Sequence, residues 1–322
     1  MKRYLSLICL LLFNRSISGQ TTPPVTDINK ACYKTIEVRE RPDFIAVQEN
    51  YAWVIDDNNS LIKRLSVDHT KPLIAIKVPA ACAAPVIAFE AVWVISCAEG
   101  SLYKIDKNTG RILTKIAVGI ADPHGEMSLA AGDRSVWLLS DSSGVLTRIN
   151  PRTNRVEATI RVNPHSYCAG YGYNAVWVTS TGESTVQKID VQTNTVVATI
   201  PVGKNPRFIS VGSKGIWTLN QGEGTVSRID AATNKVTATI DVHAKGGGGD
   251  IAEDGSKVWV VSTNTNRPVQ VINTTNNEIE AIYGEASETG KDSRVDGAVR
   301  ASGKYIWVSG LYRQKVWVFK KI

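Results

Sequence analysis

The sequence predicts an all-β protein, a seven-bladed β-propeller with four antiparallel strands in each blade. The first observation is that seven of the eight tryptophans recur at intervals of 40 to 48 residues. The second is that four short runs rich in Val, Ile and Thr surround each of them. Four strands in about 40 residues, repeated around an axis, are typical of propeller blades. The repeated residues are Trp53, Trp93, Trp137, Trp177, Trp217, Trp259 and Trp307.

Each repeat follows the same order of elements. The tryptophan lies in the second strand, in phrases such as VWVTS, where we expect it to pack between neighbouring blades. The third strand ends in an Asp or Asn, whose side chain can hydrogen-bond to the backbone of the turn that follows. These residues are Asp106, Asn150, Asp190 and Asp230.

The two ends of the chain are complementary, which is the third observation. The segment LYRQKVWVFKKI supplies the third strand of the seventh blade and then stops. Residues 34–38 (KTIEV) align with the fourth strands of other repeats, such as ATIPV. The sequence therefore predicts that N- and C-terminal strands pair in the last blade, which closes the ring and removes exposed strand edges.

Length and composition exclude a disordered chain. The 322 residues are 43% apolar and 21% charged, enough for a large core. The formal net charge is +7, but residues 1–19 carry three basic and no acidic residues. Without them, 34 basic and 30 acidic residues leave +4. A balance this slightly basic only weakly favours an anionic partner.

The N-terminus predicts an exported protein. Lys2 and Arg3 precede the apolar stretch from Leu5 to Phe13, and small residues follow, as in a secretory signal peptide. We therefore expect a signal peptide over 1–19, a flexible lead-in over 20–32 and the propeller over 33–322. No later stretch is apolar enough to span a bilayer, and the mature protein is predicted to be secreted or periplasmic.

Cysteine usage agrees with an oxidising compartment. Removal of Cys9 leaves four cysteines, which allow three pairings. Cys82 and Cys97 flank one predicted hairpin and are the best candidates for a disulfide. The alternative is that all four cysteines are free thiols.

Residues 176–212 (VWVTSTGESTVQKIDVQTNTVVATIPVGKNPRFISVG) closely resemble the YVTN-type repeat of exported bacterial seven-bladed propellers. This resemblance spans residues 33–322 and implies roles such as extracytoplasmic ligand binding. More distantly, the chain resembles the streptogramin B (virginiamycin B) lyases in fold and repeat length. That resemblance implies a metal-dependent active site that uses His and Glu near the propeller axis.

In a propeller, the loops before the inner strands and the loops after the second strands lie on one face, here called the funnel face. Three of the four histidines are in such loops, where they could serve as a general base or bind metal. Nearby carboxylates could hold Mg²⁺ or Ca²⁺. The candidate catalytic residues are His124, His165 and His243, and the candidate metal ligands are Glu126, Asp250 and Asp296. The alternatives are solvated histidines and carboxylates paired with arginines.

The funnel-face loops are also rich in arginine. They favour a small anionic ligand or a protein partner, and give weaker support for single-stranded nucleic acid because few aromatic residues accompany them. The candidate ligand-binding residues are Arg41, Asp43, Tyr167, Arg207, Arg294 and Arg313.

The sequence thus predicts an exported, monomeric binding propeller that uses its funnel face. No GxSxG or HExxH motif is present. The alternative is a metal-dependent lyase or lactone hydrolase of the virginiamycin B lyase type, so whether the protein is an enzyme stays open.

Overall fold

The computed structural model describes residues 22–38, 41–56, 60–118, 128–141, 143–285 and 294–321. It confirms the predicted fold: seven sheets, each with four antiparallel strands, which in blades 1 to 6 follow one another in sequence from the axis outwards. Blade 1 contains Pro42–Gln48, Tyr51–Asp56, Leu61–Ser66 and Ile74–Lys77, and blade 2 contains Val86–Ala88, Ala91–Ser96, Ser101–Asp106 and Ile112–Ala117. Blade 3 contains Ser128–Gly132, Ser135–Asp141, Val145–Asn150 and Arg155–Arg161, and blade 4 contains Ser166–Gly172, Ala175–Ser180, Thr185–Asp190 and Thr195–Pro201.

The remaining blades include the closure of the ring. Blade 5 contains Pro206–Gly212, Gly215–Asn220, Thr225–Asp230 and Lys235–Asp241, and blade 6 contains Gly249–Glu253, Lys257–Ser262, Val269–Asn273 and Ile279–Gly284. Blade 7 contains Val299–Ser302, Tyr305–Gly310, Lys315–Lys320 and, as its outer strand, the N-terminal Lys34–Glu37. Pairing of Thr35 with Trp317 fixes the register of this last strand, so the ring is closed as predicted.

The repeated tryptophans hold neighbouring blades together. All seven are at most 5% exposed. Trp93 of blade 2, for example, belongs to the same apolar cluster as Leu129, Val136 and Leu138 of blade 3. Its indole N–H also donates to the carbonyl of Ala88 at 3.0 Å, which satisfies the only polar atom of the ring. At this position the packing between blades is thus apolar, and the polar atom of the ring is paired.

A second contact between blades is built from a basic residue opposite the tryptophan in each of blades 2 to 5. Arg148 is the cross-strand partner of Trp137, and its guanidinium lies 4.9 Å from that ring centroid. It then donates to the Val191 carbonyl at 2.6 Å and to Asn194 Oδ1 at 3.1 Å, both in the outer turn of blade 4. We call this contact an inter-blade staple. Equivalent staples are made by Lys104, Lys188 and Arg228.

The turns that receive the staples have the predicted Asx caps. Asp190 Oδ1 accepts from the backbone N–H groups of Gln192 and Thr193, at 2.9 and 2.8 Å. Asn150 makes the same two bonds in blade 3, so either residue fits the turn. The cap lets the chain reverse in a left-handed residue, Asn194 (φ 57°), whose side chain is the acceptor of the staple.

The N-terminal segment is the main departure from the prediction. Instead of a flexible lead-in, Val25–Asp27 add a fifth, parallel strand to the outer edge of blade 6. The one-turn helix Ile28–Ala31 follows, and Ile28 is fully buried between blades 6 and 7. The free energy gained by burying Ile28 outweighs the cost of ordering the polar, proline-containing residues around it, so residues 25–31 belong to the fold. The predicted signal peptide, residues 1–19, lies outside the described residues.

Cys82 and Cys97 form a disulfide with a Cα–Cα distance of 5.9 Å. It joins the loop before the inner strand of blade 2 to the end of that blade's second strand. Cys32 and Cys168 are free thiols. In the described part of the chain, no helix has the length and apolar character needed to cross a membrane.

Candidate functional site

The inner strands surround an axial cavity of about 260 Å³. They converge there because each blade turns its first strand towards the axis, and small residues such as Ala130 and Gly170 keep the centre open. Every blade contributes to the wall, through residues that include Phe44, Val86, Ser128, Cys168, Ile209, Ile251 and Arg300. The wall combines apolar side chains with polar groups, among them the charged side chains of Glu253 and Arg300.

Aromatic side chains lie across the funnel-face end of this cavity. Phe44 of blade 1 packs against clusters of its neighbouring blades and also against the cluster that contains Phe208 and Ile251 of blades 5 and 6. Its ring therefore reaches across the axis. Tyr167 of blade 4 meets Phe208 edge-to-face, with ring centroids 5.7 Å apart. These aromatic residues form the mouth of the cavity.

An arginine from blade 5 joins this mouth. The guanidinium carbon of Arg207 lies 4.3 Å from the ring centroid of Tyr167, and the group hydrogen-bonds to the Tyr167 hydroxyl. It also donates to the carbonyl of Gly247, in the loop before the inner strand of blade 6. The structure thus brings together two of the predicted ligand-binding residues, Tyr167 and Arg207.

A second arginine–aromatic group lies between blades 1 and 7. The guanidinium carbons of Arg41 and Arg294 lie 5.4 and 4.6 Å from the ring centroid of Tyr312. Tyr312 itself is 44% exposed. Two further predicted residues, Arg41 and Arg294, therefore converge on one aromatic ring.

Behind the mouth, a buried ion pair links blades 6 and 7. The Asp250 carboxylate contacts Arg300 Nη1 and accepts from the backbone N–H groups of Ile251 and Val299, at 2.9 and 3.0 Å. Asp250 is 1% exposed. Burial raises its pKa, and the Arg300 charge and the two N–H groups oppose that rise. Asp250 was predicted as a metal ligand, whereas its oxygens here already have an arginine and two amides as partners.

Cys168 is a further polar group of the cavity wall. Ser128 Oγ lies 3.6 Å from its sulfur and accepts from the Ala169 N–H at 2.9 Å. Burial raises the pKa of the Cys168 thiol, so the sulfur is a neutral, weakly polar part of the wall at neutral pH. A β-bulge between Ser166 and Ala169 turns this residue towards the axis, a local irregularity that the repeat pattern does not reveal.

The two described candidate histidines lie apart from the cavity wall. His165 is exposed, with φ 55°, and its imidazole packs over Gly182. His243 is also exposed; its Nδ1 lies 3.2 Å from Asp241 Oδ1, in a groove along the outer strand of blade 5. His124, the third candidate, lies outside the described residues.

The remaining candidates have separate surroundings. The carboxylate of Asp296 packs against Gly248 of the neighbouring blade. Arg313 Nε lies 3.0 Å from Glu285 Oε2, and both side chains are largely buried, so this arginine has a carboxylate partner within the chain. The carbonyl of Asp43 accepts from Ser309 Oγ at 2.6 Å. Glu126 lies outside the described residues.

A divalent metal is implied by the resemblance to the lyases, and the described residues do not fit it. Within residues 22–118 and 128–321, with the gaps given above, no three His, Cys, Asp or Glu side chains are grouped closely enough to bind a metal ion. Asp250, a buried carboxylate beside the cavity, is held by Arg300, and Glu253, which lines the cavity, accepts from the Trp217 indole N–H.

No protein-family model and no curated protein matches the sequence. Solved structures match its fold. Virginiamycin B lyase from Staphylococcus aureus is 16% identical, with a TM-score of 0.74, over 90% of this chain and 99% of the lyase. BamB from Moraxella catarrhalis is 13% identical, with a TM-score of 0.61, over 86% of this chain and 84% of BamB. At such identities the likeness shows the fold alone, a seven-bladed propeller.

Proposed function

We propose that the protein is an exported binding propeller of the YVTN-repeat type, whose funnel face binds an anionic ligand or an acidic segment of a protein partner. One observation carries the proposal: Arg41 and Arg294, from different blades, converge on the partly exposed ring of Tyr312. Arginine combined with an aromatic surface is typical of binding sites, because it offers charge, a planar set of donors and apolar area.

The arrangement supports binding more than catalysis. Arg207 and Tyr167 form a similar group on the opposite side of the cavity mouth. A ligand that spans the mouth would therefore meet positive charge on both sides. Secretion or periplasmic export, and a monomeric state, belong to this proposal.

Calorimetric titration with citrate tests the anionic class of ligand. We expect citrate to bind, and the double variant Arg41→Gln/Arg294→Gln to lose most of that affinity, because each charged hydrogen bond contributes about 1.5–3 kcal/mol. Arg152→Gln is the matched control, since Arg152 is exposed on the opposite face. Equal citrate affinity in the double variant and the control, or no citrate binding at all, contradicts the proposal.

The alternative, a metal-dependent lyase or lactone hydrolase, is favoured by the fold likeness. One matched structure is a catalytically inactive histidine-to-alanine variant of virginiamycin B lyase with quinupristin. If this chain has that activity, it will consume quinupristin when Mg²⁺ is added, and His124→Ala, His165→Ala or His243→Ala will abolish the turnover. Unchanged quinupristin, together with no stoichiometric metal in elemental analysis, would exclude this alternative.

A further inference from the structure

We propose that the axial cavity binds a small organic carboxylate with an apolar body, and that Arg300 pairs with its carboxylate. The inference rests on the proposed function, because the ligand would enter the same propeller centre, but it concerns different residues. It goes further in naming the chemical class of the ligand.

The first step is the unused edge of Arg300. Its Nη1 contacts Asp250 and donates to the Val299 carbonyl at 2.7 Å. Among the residues that the structure describes, its Nε and Nη2 have no hydrogen-bond partner. The side chain is 29% exposed and lines the cavity. A side chain that lines the cavity thus keeps two parallel N–H donors available for a ligand.

The second step is that this arginine is held in position. Asp250 contacts its other edge, and Asp250 is fixed in turn by the amides of Ile251 and Val299. A guanidinium that is already oriented loses little conformational entropy when a ligand binds. The role of the ion pair in this proposal is to orient Arg300 for a ligand, since buried ion pairs often contribute little to the stability of a fold.

The third step concerns the rest of the wall. Phe44, Phe208, Ile209, Ile251 and Leu129 surround the same space. Glu253 also lines the cavity, and its carboxylate accepts hydrogen bonds from the Lys214 N–H and the Trp217 indole N–H. A fully polar ligand would make no favourable apolar contact with these apolar side chains. An apolar body, aromatic or branched aliphatic, would pack against them and displace water.

The charge of the Arg300–Asp250 pair and the volume of the cavity restrict the chemical class of the ligand further. The planar Nε–Nη2 edge matches the two oxygens of one carboxylate. Asp250 already neutralises Arg300 from behind, so a dianion such as phosphate would be repelled more strongly than a monoanion. The volume of about 260 Å³ lies just below the usual range of ligand pockets, roughly 300–1,000 Å³, which favours a small molecule.

The test compares benzoate with benzamide by calorimetric titration of the wild-type chain. Benzoate carries the carboxylate and the apolar ring, whereas benzamide has the same shape without the charge. We expect benzoate to bind at least about tenfold more tightly than benzamide, and inorganic phosphate to bind no better than benzamide. Equal affinity for benzoate and benzamide, or no binding of benzoate, overturns the proposal without any variant.

Two variants then locate the benzoate site. Arg300→Lys keeps a positive charge beside Asp250 but removes the planar pair of donors, and should weaken benzoate binding about tenfold. Cys168→Phe fills the cavity while it leaves the ion pair intact, and should abolish binding. Val197→Phe is its control, because Val197 is 55% exposed on the outer strand of blade 4. Benzoate binding that survives both Arg300→Lys and Cys168→Phe places the site elsewhere and overturns the inference.

The result separates this inference from the proposed function. If citrate binding depends on Arg41 and Arg294 but benzoate does not bind, the funnel face is a binding surface and the cavity proposal falls. If benzoate binds through Arg300 but citrate does not bind, the funnel-face proposal falls and the cavity remains a ligand site.

Discussion

The inter-blade staple of Arg148 gives a quantitative prediction for stability. Arg148 is 17% exposed on its side chain, donates to the Val191 carbonyl and to Asn194 Oδ1 in the next blade, and stacks on Trp137. Arg148→Met keeps the apolar stem but removes these donors and leaves the buried carbonyl region of Val191 without its partner. Two charged hydrogen bonds at the low end of ~1.5–3 kcal/mol each, with a cation–π contact of ~0.5 kcal/mol, give a loss of about 3.5 kcal/mol.

Equilibrium unfolding in urea, followed by tryptophan fluorescence, measures this loss. Arg152→Met is the matched control: it makes the same chemical change at an exposed turn of the same blade, and should cost no more than about 0.5 kcal/mol. Arg148→Lys should cost only about 1 kcal/mol, because Lys104 and Lys188 make the same staple in blades 2 and 4. If Arg148→Met costs no more than Arg152→Met, or if lysine fails to rescue, the staple does not hold the blades together.

Three further predictions concern other parts of the fold. Hydrogen bonds from backbone N–H groups lower the pKa of Asp190, so its cap stabilises the fold above the ordinary carboxyl pKa of about 4, and this stabilisation is lost as the pH falls below that value. Asparagine is the residue type at this position in blade 3, and Asp190→Asn should therefore reduce the loss of stability between about pH 5 and pH 3, measured by urea titration. Cys82→Ala/Cys97→Ala should lower the free energy of unfolding by about 3 kcal/mol, since the disulfide closes 15 residues, and a reducing agent should do the same to the wild type but not to the variant. Ile28→Ala should cost about 2–4 kcal/mol in the same assay and exposed Val25→Ala little, whereas equal small losses would mean that the N-terminal segment is not part of the core.

The candidate site was predictable only in part. Arginines and aromatic residues in the funnel-face loops are visible in the sequence, and the structure does bring Arg41 to Arg294 and Tyr167 to Arg207. Tyr312, which joins the first pair, was not predicted as a site residue, because nothing in the sequence distinguishes a loop tyrosine that contacts arginines from a solvated one. Arg300 could have been found from its position in the inner strand of blade 7, where a charged residue must face either the cavity or a partner.

The sequence by itself determined the number of blades, the order of strands in each blade and the closure of the ring. It could do so because the blades repeat the same local requirements: a tryptophan to pack against the next blade and apolar residues for the sheet in every blade, and an Asx residue for the outer turn in blades 2 to 6. Only the tertiary structure decided that Val25–Asp27 extend blade 6, that Phe44 reaches across the axis and that Asp250 binds Arg300 rather than standing free for a metal. These contacts join residues from different repeats around the axis, and no local pattern encodes which of them will meet.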